Sequence, residues 1–116
     1  MRRTTTALCA VLLLLLSTAT PAFAIDGTAG LNVLVPSTCA GLPGLLDDTA
    51  AIPDELYEAH GCGSKITVTG PEGTGQATVT QKCDGCKKGD IDLSPAAFNK
   101  IGGTREGRVK VTWSFL

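Results

Sequence analysis

Lys65-Ile66-Thr67-Val68-Thr69 and Gln76-Ala77-Thr78-Val79-Thr80-Gln81 are the two stretches that decide the fold. Both alternate polar and apolar side chains, the period of a strand with one buried face. Between them, Gly70 to Gly75 with Pro71 is turn material, because glycine takes positive φ without steric cost and proline presets a turn dihedral. The segment predicts a β-hairpin.

Toward the C terminus the alternation returns in Val109-Lys110-Val111-Thr112-Trp113-Ser114-Phe115. Its odd positions form an apolar face, so this is a core strand with Trp113 as its largest anchor. Two short helices are expected. Pro95 to Ile101 has Ser94 as N-cap and proline at the first helical position, and Gly102-Gly103 ends it. Pro53 to His60 is the other, and Leu31–Val35 and Thr49–Ile52 are weaker strand candidates. Short strands with two such helices predict a mainly β fold, a compact barrel.

The chain has 116 residues, 43% hydrophobic and 4% aromatic, with 10 Lys+Arg against 11 Asp+Glu. That length holds one domain, and the balance excludes a strongly basic nucleic-acid binder. Met1 to Ala24 reads as a secretory signal: Arg2 and Arg3, an apolar run from Ala7 to Leu16, and Ala22-Phe23-Ala24 as a small-x-small cleavage site. The run is shorter than the roughly 20 residues needed to span a bilayer. Residues 25–116 are therefore expected as one secreted, extracellular domain that is soluble and monomeric.

Cleavage removes Cys9 and leaves Cys39, Cys62, Cys83 and Cys86. Four cysteines in an exported domain of this size read as two disulfides, which support a thin core. Of the three pairings, Cys39–Cys62 closing a long loop with Cys83–Cys86 clipping a short one is the expected set. A redox pair at Cys83-Asp84-Gly85-Cys86 would want its first cysteine at a helix start, and zinc would want a second cysteine pair nearby. No metal or cofactor is expected. Charge is uneven: Ile25 to Cys62 carries six acids and no Lys or Arg, and Gly63 onward carries eight bases and five acids.

Several segments together carry a resemblance. Gly61-Cys62-Gly63-Ser64-Lys65-Ile66-Thr67-Val68-Thr69, Val79-Thr80-Gln81-Lys82-Cys83-Asp84-Gly85-Cys86, Gly89-Asp90-Ile91-Asp92-Leu93-Ser94-Pro95-Ala96-Ala97-Phe98 and Val111-Thr112-Trp113 resemble the rare lipoprotein A-like double-psi β-barrel family. Cys39-Ala40-Gly41 and Thr49-Ala50-Ala51-Ile52-Pro53 are similar to that family's earlier cysteine-glycine turn and second strand. The match covers nearly all of residues 25–116. The resemblance implies a six-stranded double-psi barrel, disulfide-stapled, with two short helices. The family includes expansin-type and barwin-like domains, lytic transglycosylases and a small secreted inhibitor of papain-like proteases, so it implies fold more strongly than activity.

Where the family pattern commonly has Asp-Arg before the Cys-x-x-Cys loop, this chain has Gln81-Lys82. An amide cannot exchange a proton as a carboxyl does. Asp92 matches the acid of the family's Asp-Leu-Ser segment; a purely structural use for it is to accept hydrogen bonds from free amides at the helix start. Asp90 is the nearest second acid, and paired-carboxylate hydrolysis is not expected. The aromatic platform of sugar-binding members is missing from Gly27-Thr28-Ala29-Gly30-Leu31-Asn32. Tyr57, Phe98, Trp113 and Phe115 are expected in the core, and His60 in a surface turn. One histidine, no strained nucleophile motif and no glycine loop opening a helix leave no triad and no phosphate site.

Two functions remain. The first is a non-catalytic, expansin-like module that binds cell-wall polysaccharide at Asp92, Asp90, Gln81 and Lys82, with Lys87 and Lys88 meeting acidic polymers. The second is a binder of an extracellular protein such as a cysteine protease, through Leu42 to Asp48 or Cys83 to Asp90; a lytic transglycosylase ranks third. If the leader is read correctly, N-terminal sequencing of the exported protein begins Ile25-Asp26-Gly27, and a start at Met1 overturns it.

Overall fold

The computed structural model describes residues 23–31, 39, 47–103 and 107–116. Six strands and two helices follow in the order β1 (Ile25–Leu31), β2 (Thr49–Ile52), α1 (Asp54–His60), β3 (Lys65–Gly70), β4 (Gly73–Lys82), β5 (Ile91–Leu93), α2 (Pro95–Lys100) and β6 (Val109–Phe115). The leader, Leu42 to Leu46 and the strand expected beyond Leu31 lie outside the described residues.

The predicted hairpin forms as β3 and β4, with a tighter turn than expected. Gly70 pairs with Gly73, so only Pro71 and Glu72 lie between the strands. Gly73 serves as strand because the end of α2 crosses it: a Cβ there would lie 2.8 Å from the Lys100 carbonyl oxygen. The six strands close a barrel in the order β1-β5-β2-β4-β3-β6. β1–β5 and β2–β4 pair in parallel and the other neighbours run antiparallel. Parallel neighbours need crossover connections, and α1 with β3 lies in the one from β2 to β4. These two crossed parallel pairs are the expected double-psi arrangement.

The core holds Ile52, Ile66, Val68, Val79, Ile91, Leu93 and Trp113, each at most 2% exposed. Burying one such side chain contributes about 1.5–3 kcal/mol. α2 closes one side with Ala97 and Phe98. Ser94 caps it as expected: its hydroxyl oxygen accepts from the Ala97 amide at 3.4 Å and donates to the Asp47 carbonyl at 2.8 Å. α1 starts at Asp54 because Pro53 keeps an extended ψ of 148°. Both expected disulfides are present, with Cα separations of 5.9 Å for Cys39–Cys62 and 5.5 Å for Cys83–Cys86.

β1 at Ile25–Leu31 is a strand that the sequence reading did not expect; its glycines, poor strand formers, conceal it. Two expectations need correction. Phe115 and Tyr57 pack against the core only half-buried. Phe115 carries the His60 ring stacked on it at 3.7 Å, so His60 is the last residue of α1 and not a turn residue. The Tyr57 hydroxyl sits against both sulfurs of Cys39–Cys62.

One close approach ties the barrel wall to the loop before β5. A Cβ on Gly27 would lie 2.0 Å from the Gly89 carbonyl oxygen, and a Cβ on Gly89 would lie 2.3 Å from the Asp26 carbonyl oxygen. Gly89 also has φ +87°, a region that L side chains rarely adopt. The Trp113 indole N–H donates to the same Gly89 carbonyl at 2.8 Å.

Gly89→Ala should therefore cost roughly 3 kcal/mol in urea unfolding followed by tryptophan fluorescence. Gly85→Ala, at φ +79° but with open space around it, should cost about 1 kcal/mol. Equal losses would refute the close approach. A second prediction concerns α1, which the Lys82–Glu58 ion pair at 2.8 Å ties to β4. The hydrogen bond from Lys82, with its charge second, holds the Glu58 carboxyl below the usual range. A depressed folded value stabilises above the unfolded value and is lost as pH falls through the folded one. An NMR titration should place Glu58 below a free glutamate, and Lys82→Met should return it upward; an unmoved Glu58 refutes the pairing.

Candidate binding groove

Asp92 is the middle residue of β5, and its neighbours Ile91 and Leu93 are fully buried. Strand alternation therefore turns Asp92 outward. β1 places Gly30 beside it and β2 places Ala51 on its other side. Arg108, the residue before β6, reaches across this surface. Its NH1 donates to Asp92 Oδ1 at 3.0 Å and its Nε to Thr28 Oγ1 at 2.7 Å. NH2 donates to the Ile91 carbonyl at 2.6 Å and to the Thr28 carbonyl at 3.2 Å. One guanidinium thus ties β1 to β5.

The contact depends on what Gly30 lacks. A Cβ there would lie 2.4 Å from Arg108 NH1 and 3.1 Å from Asp92 Oδ1. Asp90 completes the same wall, its Oδ1 accepting from the Thr28 amide at 2.8 Å. The Cys83–Cys86 loop forms the other wall, with Cys83 Sγ 3.3 Å from Asp92 Oδ2. Between the walls is an open groove of about 310 Å³ lined by Cys83 to Lys87, Asp90, Asp92 and Arg108.

Of the six residues expected at the site, Asp90, Asp92 and Lys87 line this groove together. Lys88 follows, exposed and outside the lining. Gln81 is buried at 5% exposure. Lys82 points to the other side, bound to Glu58, with its ammonium 5.8 Å from the Tyr57 ring centre. The structural use proposed for Asp92 at the helix start falls to Ser94 instead.

Arg108 escaped the sequence reading. It lies 16 positions from Asp92 and belongs to no motif; its trace is Gly30, whose missing side chain leaves room for the guanidinium.

The sulfurs of Cys83 and Cys86 and an Asp92 oxygen lie within 4.8 Å of one another. Joined in a disulfide, those sulfurs are not the thiolates that bind metal. The groove holds two cations, Lys87 and Arg108, against Asp84, Asp90 and Asp92. Its chemistry is hydrogen bonding from a charge-balanced, polar surface, and no cationic strip runs through it.

No family model matches the sequence. The allergen Asp f 7 of Aspergillus fumigatus is 35% identical over 83 residues, 69% of this chain and 30% of that protein. Expansin-YoaJ of Bacillus subtilis is 34% identical over 76 residues, 62% of this chain and 33% of that protein. The chain thus spans about a third of these relatives. Among solved structures, the Clavibacter michiganensis expansin superposes with TM-score 0.70 at 26% identity, over 81% of this chain and 50% of that one. A point mutant of it was solved with cellohexaose at the same similarity. The Streptomyces papain inhibitor superposes with TM-score 0.69 at 27% identity, over 82% of this chain and 96% of that one. Strand order, parallel pairs, disulfides and these likenesses together make the chain a double-psi β-barrel of the expansin-like, barwin-like type.

Proposed function

We propose that this domain acts outside the cell, binding an uncharged, chain-like wall polysaccharide in the groove of Asp92 and Arg108 without hydrolysing it. The observation that carries the reading is the Arg108–Asp92 bond at the groove floor. It leaves one NH1 hydrogen of the guanidinium and Asp92 Oδ2 side by side, a donor and acceptor pair suited to vicinal hydroxyls. The near balance of charge in the lining favours a neutral polymer over an acidic one. Cellohexaose, found with the Clavibacter expansin mutant, is of that class.

Glycoside hydrolysis needs two carboxyl groups flanking the scissile bond. Asp90 and Asp92 stand on one wall, and each already accepts a hydrogen bond, from the Thr28 amide and from Arg108. The extracellular part of this proposal rests on the leader-like Met1 to Ala24, and among the described residues no helix is long and apolar enough to cross a membrane.

A second reading, capture of a protein such as a papain-like protease, is favoured by one observation. The chain spans 96% of the Streptomyces papain inhibitor but only half of the expansin. The Cys83–Cys86 clip would offer such a partner a loop whose ordering entropy is already lost.

Co-sedimentation with cellulose, chitin and peptidoglycan, with sugar release assayed in the same tubes, tests the choice. Expected are binding without release, little loss at high salt because few net charges are engaged, and roughly tenfold weaker binding in Asp92→Ala and Arg108→Ala. Lys100→Ala, whose ammonium pairs with Asp48 elsewhere, should bind normally. No binding to any polymer, together with stoichiometric inhibition of papain, would replace the first reading with the second.

A further inference from the structure

A surface trough of about 770 Å³ lies beyond the groove over β1, β6 and the end of β3. It is walled by Asp26, Thr28, Lys110, Thr112, Thr69 and the turn at Pro71. Thr28 lines the trough and is hydrogen-bonded to two residues of the groove, Arg108 and Asp90. Its side chain and carbonyl hold Arg108 and its amide holds Asp90.

The strand registers make this a single surface. Asp92 is level with Gly30, Thr28 with Lys110, and Asp26 with Thr112, which is level with Thr69. All of these face outward, because Ala29, Ile91, Val68, Val111 and Trp113 occupy the alternate inward positions. From Asp92 on β5 over β1 to Thr112 on β6 is two strand spacings across and about four residues along, a path of roughly 17 Å over the curved barrel wall. The Lys110 ammonium has no hydrogen-bond or ion-pair partner among the described residues. The Thr112 hydroxyl donates to Asp26 Oδ1 at 2.9 Å, which leaves Oδ2 to accept. Pro71, exposed at the far end, adds an apolar face for the C–H surface of a sugar ring.

We propose that the binding site runs continuously from the Asp92–Arg108 groove over Thr28 into this trough, and that Lys110 and the Asp26–Thr112 pair form a second subsite for the same linear, uncharged glycan. The inference rests on the polysaccharide reading and adds an extent and a direction to it. Hydroxyls, one lysine and one carboxylate again balance charge, as in the groove. A chain long enough to reach both depressions gains contacts that a short one lacks.

Calorimetry with cellotriose and cellohexaose separates the possibilities. Wild-type protein should bind the hexamer at least tenfold more tightly than the trimer. The double variant Lys110→Ala/Thr112→Val should keep trimer affinity and lose most of the hexamer gain, with its fold checked by circular dichroism. Lys110→Ala alone, an exposed change that cannot disturb the core, should lose part of that gain. Equal affinities for trimer and hexamer in the wild type, or a hexamer gain untouched by both variants, overturn the second subsite while leaving the groove. Binding of neither oligomer overturns the polysaccharide reading itself.

Discussion

The structure turns on a contact between two glycines. Gly27 on β1 and Gly89 in the loop before β5 touch through backbone atoms alone, with no room for a Cβ on either. The Trp113 indole N–H fastens the Gly89 carbonyl from inside. A buried carbonyl without that donor would cost about 1–3 kcal/mol, so the largest core side chain also fixes a surface loop. Because Gly89 is held, Asp90 meets the Thr28 amide and β5 enters beside β1 in the register that turns Asp92 outward. Core packing and groove geometry are thus consequences of one approach.

Arg108 then decides what the groove is. Four hydrogen bonds spread over Thr28, Ile91 and Asp92 immobilise it, and they use most of its five N–H donors. The pairing is partly exposed, at 41% for the arginine side chain and 27% for the aspartate, so it adds little to stability. Its effect is on recognition: a carboxylate held against a guanidinium offers paired polar groups at fixed spacing. Gly30 makes this possible by leaving space. A side chain there and Arg108 in this position exclude each other.

Legibility in the sequence followed periodicity. The hairpin, the C-terminal strand, the Ser94-capped helix and Trp113 in the core each rest on local pattern, and each formed. β1 went unseen because Gly27 and Gly30 serve backbone approach and side-chain clearance, needs that leave no hydrophobic signature. β5, three residues long, is too short for alternation to register. In the site, Asp92 was visible through its motif and Asp90 as the acid nearest to it in sequence. Lys82 and Gln81 adjoin the cysteine loop in sequence, but β4 turns one toward α1 and buries the other. Arg108 meets Asp92 only through tertiary pairing of β6 with β1, which one sequence does not encode locally.

The two disulfides divide their labour along the same lines. In the chain-entropy description, a bridge over 23 residues such as Cys39–Cys62 stabilises by about 3.5 kcal/mol and one over three residues by about 2. The longer bridge lies under α1, with the Tyr57 hydroxyl on its sulfurs, far from the groove lining. The shorter one is itself part of that lining. Beyond that contribution, clipping the four-residue loop fixes Cys83 Sγ 3.3 Å from Asp92 Oδ2 and so sets the shape of the wall opposite Arg108. A rigid wall suits a site that holds a chain in place, because little ordering entropy remains to be lost when the ligand arrives.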